Sequence, residues 1–255
     1  MPGKKPASGP RITAALAAVA SLSLVLSGCS AATISPGDAR SRPLAGARAK
    51  TGVDCREARC IALTFDAGPS RDTPRLLDIL KEKKVRATFF LLGKNHVVHH
   101  PDLVRRMARE GHEVGNHTWT HKRLTDLDAD GIREELSRTQ DAIAELTGHR
   151  PTLMRPPQGR TDREVSDVCR ELGLAQVLWS ATAKDYSTTD SLLIEHRVLD
   201  AAGPDGIILL HDIYQGTVPA VPAIIDELKK RGYTFVTVPE LLAPGVPEPG
   251  KVYKP

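Results

Sequence analysis

Apolar runs and amphipathic segments alternate along most of the chain. Continuous apolar stretches such as Ile61 to Phe65 predict strands, and segments with apolar residues at helical spacing, such as Thr73 to Lys83, predict helices. The predicted strands are 61–65, 87–92, 113–115, 152–154, 175–179, 206–210 and 234–238, and the predicted helices are 73–83, 101–109, 128–146, 162–172, 192–201, 218–231 and 239–242. This alternation indicates an α/β fold, with a parallel sheet and helices outside it.

The first residues have the layout of an export signal. Basic residues between positions 4 and 11 precede an apolar run over 12–26, which is too short for a confident membrane span. The run ends at Leu-Ser-Gly-Cys, residues 26–29, which resembles a bacterial lipoprotein box. An ordinary signal peptide with a chance cysteine is the alternative. We expect residues 1–28 to be a lipoprotein signal peptide and Cys29 to carry the lipid, which would tether the exported protein to the outer face of the cell membrane.

Length and composition limit the number of domains and the kinds of partner that we expect for the rest of the chain. The 255 residues, 40% of them hydrophobic, suffice for one packed domain, which we place at 58–243 between a flexible tether over 29–57 and a disordered tail over 244–255. Outside the cell a disulfide between Cys55 and Cys60 is plausible, whereas Cys169 is expected to be a buried free thiol. The net charge of +4 is spread along the chain, so we expect no nucleic-acid partner. We expect a monomer.

Polar residues follow the predicted strands at five places. Asp66, His117, Arg155 and His211 each come directly after a strand, and Asp185 lies just past one. In a closed or nearly closed α/β barrel these strand ends share one face, where active sites lie. The sequence therefore predicts one site at this face.

His117 and His121 are candidate metal ligands. A spacing of four residues puts both imidazoles on one face of a helical turn, where they can bind one cation. Such pairs are more often a solvated face or a hydrogen-bonded pair. Without the surrounding motifs, Asp66 reads as a helix cap, Arg155 as a surface ion pair and His211 as part of a turn.

Together these residues fit metal-assisted hydrolysis of an acyl group. Asp66 is the candidate base for a water molecule, and His211 is the candidate acid for the leaving group. Arg155 is expected to hold Asp66 ionised. Asp185 is expected either to fix the tautomer of His211 or to anchor Arg155, and the residues alone leave both alternatives open.

The order of the motifs resembles that of the NodB-homology polysaccharide deacetylases, carbohydrate esterase family 4. The matching segments are Thr64-Phe-Asp-Ala-Gly68, His117-Thr-Trp-Thr-His121, Arg155-Pro-Pro-Gln-Gly159, Asp185-Tyr186 and Leu209-Leu-His211. The resemblance implies a distorted (β/α) barrel and a divalent metal, usually zinc. It also implies removal of acetyl groups from N-acetylated sugars or from O-acetylated xylan.

The resemblance also implies roles for individual residues. It implies that His117 and His121 are metal ligands, Asp66 the base, Arg155 its support and His211 the acid. Leu209 would line the acetyl pocket, the backbone N–H of Gln158 would help stabilise the oxyanion, and Tyr186 belongs to the motif that contacts substrate.

The chain departs from the family pattern at the third metal ligand, which is usually an aspartate and here is Ala67. Catalytic zinc normally has three protein ligands. Water could replace the missing oxygen, Asp66 could turn to ligate, or the domain could have kept only a glycan-binding groove. The presence of the base, the acid and both histidines favours the first outcome, an acetyl hydrolase with weakened metal binding. A non-catalytic glycan-binding lipoprotein is the alternative.

Overall fold

Residues 1–4, 32–42 and 52–255 are described by the computed structural model. The apolar export segment, the lipidation residue Cys29 and the tether residues 43–51 lie outside these ranges, so the expectations for them stay predictions. Within the three ranges, no helix combines the length and the apolar character that crossing a membrane requires.

A parallel sheet is organised around strand β2, Cys60–Asp66, in which every residue is buried. β2 pairs with β3 (Thr88–Leu91), β8 (Gly206–His211) and β9 (Thr234–Val236). Beyond β3 and β8 the sheet continues with β4 (Glu113–Asn116), β5 (Leu153–Met154), β6 (Ala175–Val177), β10 (Val252–Tyr253), β1 (Thr33–Ile34) and β7 (Ala181–Thr182). Parallel strands covered on both faces are continuous apolar runs, and this is why the pattern identifies them.

Helices join the strands and cover the sheet, so the predicted fold class is confirmed. The longest is α4, Ala129–Thr147, which begins after the cap Asp128 and ends at Gly148 in a left-handed conformation. Glycine adopts that conformation without steric cost. The other helices are α1 (Pro36–Arg40), α2 (Thr73–Glu82), α3 (Pro101–Arg109), α5 (Arg163–Glu171), α6 (Ser191–Ala201), α7 (Thr217–Lys230) and α8 (Val238–Leu242).

The core holds both faces of β2. Ile61, Leu63 and Phe65 belong to one apolar cluster, whereas Ala62 belongs to another, which is the period of two expected of a strand. The first cluster includes the buried leucines of α2, and each contributes about 1.5–3 kcal/mol relative to leaving it exposed. Packing on both faces therefore fixes the direction in which Asp66, the last residue of β2, leaves the sheet.

The prediction that residues 244–255 are disordered is wrong. Val252 and Tyr253 form β10, which pairs with β6 on one side and β1 on the other. The Tyr253 side chain is buried, and its hydroxyl accepts a hydrogen bond from the N–H of Glu248 at 2.9 Å. The prolines and glycines before β10 lie mostly in turns, and composition alone does not separate a turn from disorder.

The flexible tether predicted for residues 29–57 is also wrong in part. β1 extends the sheet edge, and the Arg40 guanidinium of α1 donates to the carbonyl of Leu241 at 2.9 Å and pairs with Asp205 at 2.5 Å. These contacts join residues far apart in the chain, so local composition does not reveal them. The folded unit therefore extends beyond 58–243 in both directions.

Two expectations about the cysteines are confirmed. Cys55 and Cys60 form a disulfide, and because Cys60 is the first residue of β2 the bridge attaches the preceding loop to the central strand. Cys169 is a free, buried thiol on α5, and burial raises its pKa to about 12.

Candidate active site

The five polar residues predicted to share one face lie at one edge of the sheet. Asp66 and His211 end neighbouring strands and are direct partners in the register. His117 and Arg155 follow β4 and β5, which also pair with each other. Asp185 begins a 3₁₀ turn shortly after β7. Because the carboxyl ends of parallel strands meet at the same edge, the topology brings these residues together.

A buried ion pair holds Asp66. Arg155 Nη1 lies 2.7 Å from Asp66 Oδ1, and the arginine is fully buried. Nη1 also donates to Thr64 Oγ1 at 2.7 Å, and Nε donates to the carbonyl of Val177 at 3.0 Å. A buried ion pair needs such additional bonds to offset its desolvation. Arg155 therefore lies where the sequence predicted, and the alternative of a surface ion pair is wrong. The sequence analysis missed Thr64.

His117 faces the other oxygen of Asp66. Its Nε2 lies 3.8 Å from Asp66 Oδ2, and its Nδ1–H donates to the carbonyl of Arg155 at 2.8 Å. That bond fixes the tautomer and leaves the Nε2 lone pair towards Asp66. Burial lowers the pKa of His117 to about 4, although Asp66 opposes the shift. The ring is therefore neutral at neutral pH and is able to bind a cation.

The second histidine lies close to the first, but not on a helical turn. The ring centres of His117 and His121 are 4.9 Å apart. Thr118 and His121 have φ values of 74° and 64°, which is left-handed backbone, so the expected helical turn is wrong. Desolvation lowers the pKa of His121, and Asp66 opposes this shift as well.

Two side chains hold this loop against α4. Asn116 Oδ1 accepts from the N–H of Thr118, and the Asn116 amide donates to the carbonyl of Leu136, both at 2.8 Å. Glu135, buried on α4, accepts from the N–H of Thr120 at 2.7 Å and from its hydroxyl at 2.5 Å. Left-handed residues other than glycine persist where such contacts over-determine them. No sequence signal pointed to Glu135, because its position reads as an ordinary polar site on a helix.

On the opposite side, Asp185 holds His211. Asp185 Oδ1 accepts from His211 Nδ1–H at 2.9 Å, and Oδ2 accepts from the His211 backbone N–H at 2.7 Å and from the Thr217 hydroxyl at 2.8 Å. This decides between the two alternatives, since Asp185 contacts His211 and not Arg155. Burial alone would lower the pKa of His211, but the hydrogen bond and charge of Asp185 outweigh it, so the pKa lies above its ordinary value.

These residues fit a bound cation only in part. His117 and His121 offer two neutral nitrogen donors, yet the described ranges contain no group of three His, Cys, Asp or Glu side chains arranged to hold a metal. Ala67 is buried and has a left-handed backbone with φ of 65°. Asp and Asn adopt this conformation more readily than Ala. The backbone at residue 67 thus suits the carboxylate that the motif usually carries and this chain lacks.

The three candidate substrate contacts lie in different environments. Gln158 is exposed, has left-handed φ of 59°, and accepts at Oε1 from Arg123 Nε at 2.7 Å. Leu209 is buried in β8, two residues before His211 and thus on the same face of the strand. Tyr186 is 59% exposed. Their roles in binding stay predictions.

The chain is similar to known proteins over most of its length. The family model described as "Polysaccharide deacetylase" matches residues 54–177. The chain is 41% identical over 182 residues to the peptidoglycan-N-acetylglucosamine deacetylase PgdA of Listeria monocytogenes, covering 71% of this chain but only 38% of that protein. It is 39% identical over 197 residues to a chitooligosaccharide deacetylase of Rhizobium leguminosarum bv. trifolii, covering 71% of this chain and 91% of that protein.

A solved structure extends the likeness to the fold. The T48 deacetylase with substrate has a TM-score of 0.76 and 41% identity, and the match covers 79% of this chain and 100% of that chain. The expected distorted (β/α) barrel is thereby confirmed. With relatives of this identity covered almost completely, the chain belongs to the polysaccharide deacetylase family that its motifs resemble, the NodB-homology group of carbohydrate esterase family 4.

Proposed function

We propose that the protein is a metal-dependent hydrolase that removes acetyl groups from N-acetylated glycans. One observation carries the proposal: a carboxylate and a histidine, each held by a buried partner of opposite charge, stand on adjacent strand ends beside two neutral imidazoles. Asp66 is held by Arg155, and His211 is held by Asp185. The pKa of His117 is lowered and that of His211 is raised. Opposite pKa shifts within one site are typical of acid–base chemistry.

The two halves of the site do different work. Asp66, held by Arg155, accepts a proton from the water that attacks the acetyl carbonyl carbon. His211 is held at Nδ1 by Asp185, so its Nε2–H is available to protonate the leaving nitrogen. The carbon–nitrogen bond breaks, and the products are acetate and the free amine of the sugar. The backbone N–H of Gln158 stabilises the negative oxygen of the intermediate.

A divalent cation, which we propose to be zinc, would be held by His117 and His121, and it would polarise the carbonyl and lower the pKa of bound water. The chain supports this by keeping both rings neutral and by turning the Nε2 lone pair of His117 towards Asp66. Water would complete the coordination in place of the carboxylate missing at Ala67.

The relatives support a proposal for the substrate, and the first residues support one for the location. The relatives are named for peptidoglycan and chitooligosaccharides, and we propose acetylated glycan of the cell envelope as the substrate here. The protein would be exported and anchored at the outer face of the cell membrane through Cys29. Replacing Cys29 by Ser should remove the lipid mass and release the protein from membranes.

The activity is tested by acetate release. The purified protein is incubated with zinc, cobalt or nickel and with N-acetylglucosamine oligomers, peptidoglycan or acetylated xylan. We expect acetate above the level of a His211→Ala control on at least one N-acetylated glycan. Acetate at the control level with every metal and substrate would refute the proposal.

Ala67 favours a second candidate, a glycan-binding lipoprotein without catalysis. It predicts binding of N-acetylglucosamine oligomers without metal and no turnover under any condition. Calorimetry with and without zinc separates the two candidates, because the hydrolase requires zinc binding that is lost in a His117→Ala variant.

A further inference from the structure

Arg123 joins the two loops that form one side of the site. It lies two residues after His121 on the loop that follows β4, and its Nε donates to Gln158 Oε1 on the loop of Arg155 at 2.7 Å. The next residue, Leu124, is completely buried and belongs to an apolar cluster with Met154. The base of the Arg123 side chain is therefore fixed, and its far end is held by Gln158.

The contact with Gln158 leaves most of the guanidinium free. An arginine carries five N–H donors, and Gln158 takes the one on Nε. Within the ranges that the structure describes, Arg123 forms no ion pair, and its basic neighbours Lys122 and Arg160 form none either. The nearest acidic residue on the second loop, Asp162, is committed to capping α5 through the N–H of Val165.

We propose that Arg123 binds a carboxylate carried by the glycan, so that the enzyme prefers acetylated glycans with an acid group near the reacting sugar. The two terminal nitrogens of the guanidinium present parallel N–H groups, which can donate one hydrogen bond to each oxygen of a carboxylate. Two sugar chemistries supply such a group, namely the lactyl ether of muramic acid and the uronic acids. This inference rests on the proposed function, because it names the substrate class of the same site.

Gln158 is the orienting partner in this arrangement. Its amide oxygen accepts from Arg123 Nε at 2.7 Å, which holds the guanidinium beside the loop of Arg155. The left-handed backbone of Gln158, with φ of 59°, and the turn hydrogen bond from the N–H of Gly159 to the carbonyl of Pro156 define the course of that loop. The pair therefore presents a cationic surface on this side of the site.

The test compares two forms of one substrate. A peptidoglycan tetrasaccharide with free lactyl carboxylates is assayed against the same molecule with these groups converted to amides. An acetylated xylo-oligosaccharide with and without a uronic acid forms the second arm. The ratio of kcat/KM for the acid form over the neutral form is measured in the wild type, in Arg123→Gln and in Arg123→Lys. The matched control is Arg109→Gln, an exposed residue at the end of α3.

We expect the ratio to exceed one in the wild type and to fall about three- to tenfold in Arg123→Gln, as for a partly exposed ionic contact. Arg123→Lys keeps the positive charge but loses the two parallel N–H donors, so its ratio should lie between those of the wild type and Arg123→Gln. The ratio of Arg109→Gln should equal that of the wild type. The wild-type preference should also shrink as salt is added. A preference confined to one arm assigns the carboxylate to that sugar.

Failure of this inference is distinguishable from failure of the proposed function. A wild type that hydrolyses both forms equally, or a ratio that Arg123→Gln leaves unchanged, overturns the role of Arg123 alone. Where no form is hydrolysed, calorimetry measures the binding of the same pairs. A preference for the acid form that Arg123→Gln abolishes then supports the inference without catalysis, and equal binding overturns it.

Discussion

Replacing Ala67 by Asp adds a carboxylate at the position where this chain departs from its family. The backbone there is left-handed, a conformation that costs an L-residue about 1–2 kcal/mol and that Asp and Asn adopt more readily than Ala. Ala67→Asn is therefore the matched control, since it relieves the same backbone strain without adding charge. We expect Ala67→Asn to raise the free energy of unfolding of the metal-free protein by up to about 1 kcal/mol.

The negative charge of Asp at position 67 should lower the stability of the metal-free protein and raise that of the zinc-bound protein. Residue 67 is only 5% exposed, and an unpaired buried carboxylate is costly, so metal-free Ala67→Asp should be less stable than Ala67→Asn. With zinc the order reverses, because opposite unit charges 4 Å apart already attract by about 4 kcal/mol at an effective dielectric constant of 20. After the desolvation of both groups is subtracted, we expect a gain of at least about 1.4 kcal/mol, which is tenfold in zinc affinity.

Calorimetric zinc titration and thermal unfolding with and without zinc check this reasoning. The zinc-dependent rise in the free energy of unfolding grows with RT ln(1 + [zinc]/Kd), so tenfold tighter binding adds about 1.4 kcal/mol at saturating zinc. Acetate release should rise in Ala67→Asp and not in Ala67→Asn. Equal zinc affinity in the two variants would show that residue 67 does not face the cation, and the account of an under-liganded site would be refuted.

Three further predictions concern the supports of the site and the chain end. Glu135→Gln should lower zinc affinity about tenfold, since it weakens the clamp on the loop of His121, while Glu134→Gln on the exposed side of α4 should leave calorimetric titrations unchanged. Asp185→Asn removes the negative charge that helps to raise the pKa of His211, so the alkaline limb of the pH–rate profile should move to lower pH; an unmoved limb would contradict the assignment of His211 as the acid. Tyr253→Ala should lower the free energy of unfolding by about 3–5 kcal/mol in denaturant titrations, and a change below 1 kcal/mol would mean that β10 is not part of the stable fold.

Strands and helices with buried faces could be predicted from the sequence, because burial imposes a period. β2 and β8 are continuous apolar runs, and helix ends such as Gly148 have residues suited to their backbone. β1 and β10 have two residues each, too few to show any period. They exist because the edge of β6 offers unpaired backbone groups, and that edge is formed by residues distant in the sequence.

The site could be predicted as far as strand ends determine it. The positions of Asp66, Arg155 and His211 follow from the rule that parallel strands end on one face. The partners of these residues do not follow from it. Whether Asp185 serves Arg155 or His211, and that a helix residue such as Glu135 holds a loop, depends on distances between elements that no local pattern records.

The geometry of Asp66 ties the missing ligand to the rate of the reaction. Its Oδ1 lies 2.7 Å from Arg155 and accepts a hydrogen bond from it, whereas Oδ2 lies 3.8 Å from Nε2 of His117. Oδ2 is therefore the oxygen that can bind a cation or accept a proton. If Oδ2 binds the cation it cannot also accept the proton of the attacking water, so the two roles exclude each other. In the proposed function water takes the place of the missing carboxylate, so Oδ2 of Asp66 competes with that water for the cation, and a carboxylate at position 67 would remove this competition. At zinc concentrations that saturate both proteins, kcat should therefore still be higher in Ala67→Asp than in the wild type. Equal kcat at saturation would mean that Asp66 is not diverted and that Ala67 weakens zinc binding alone.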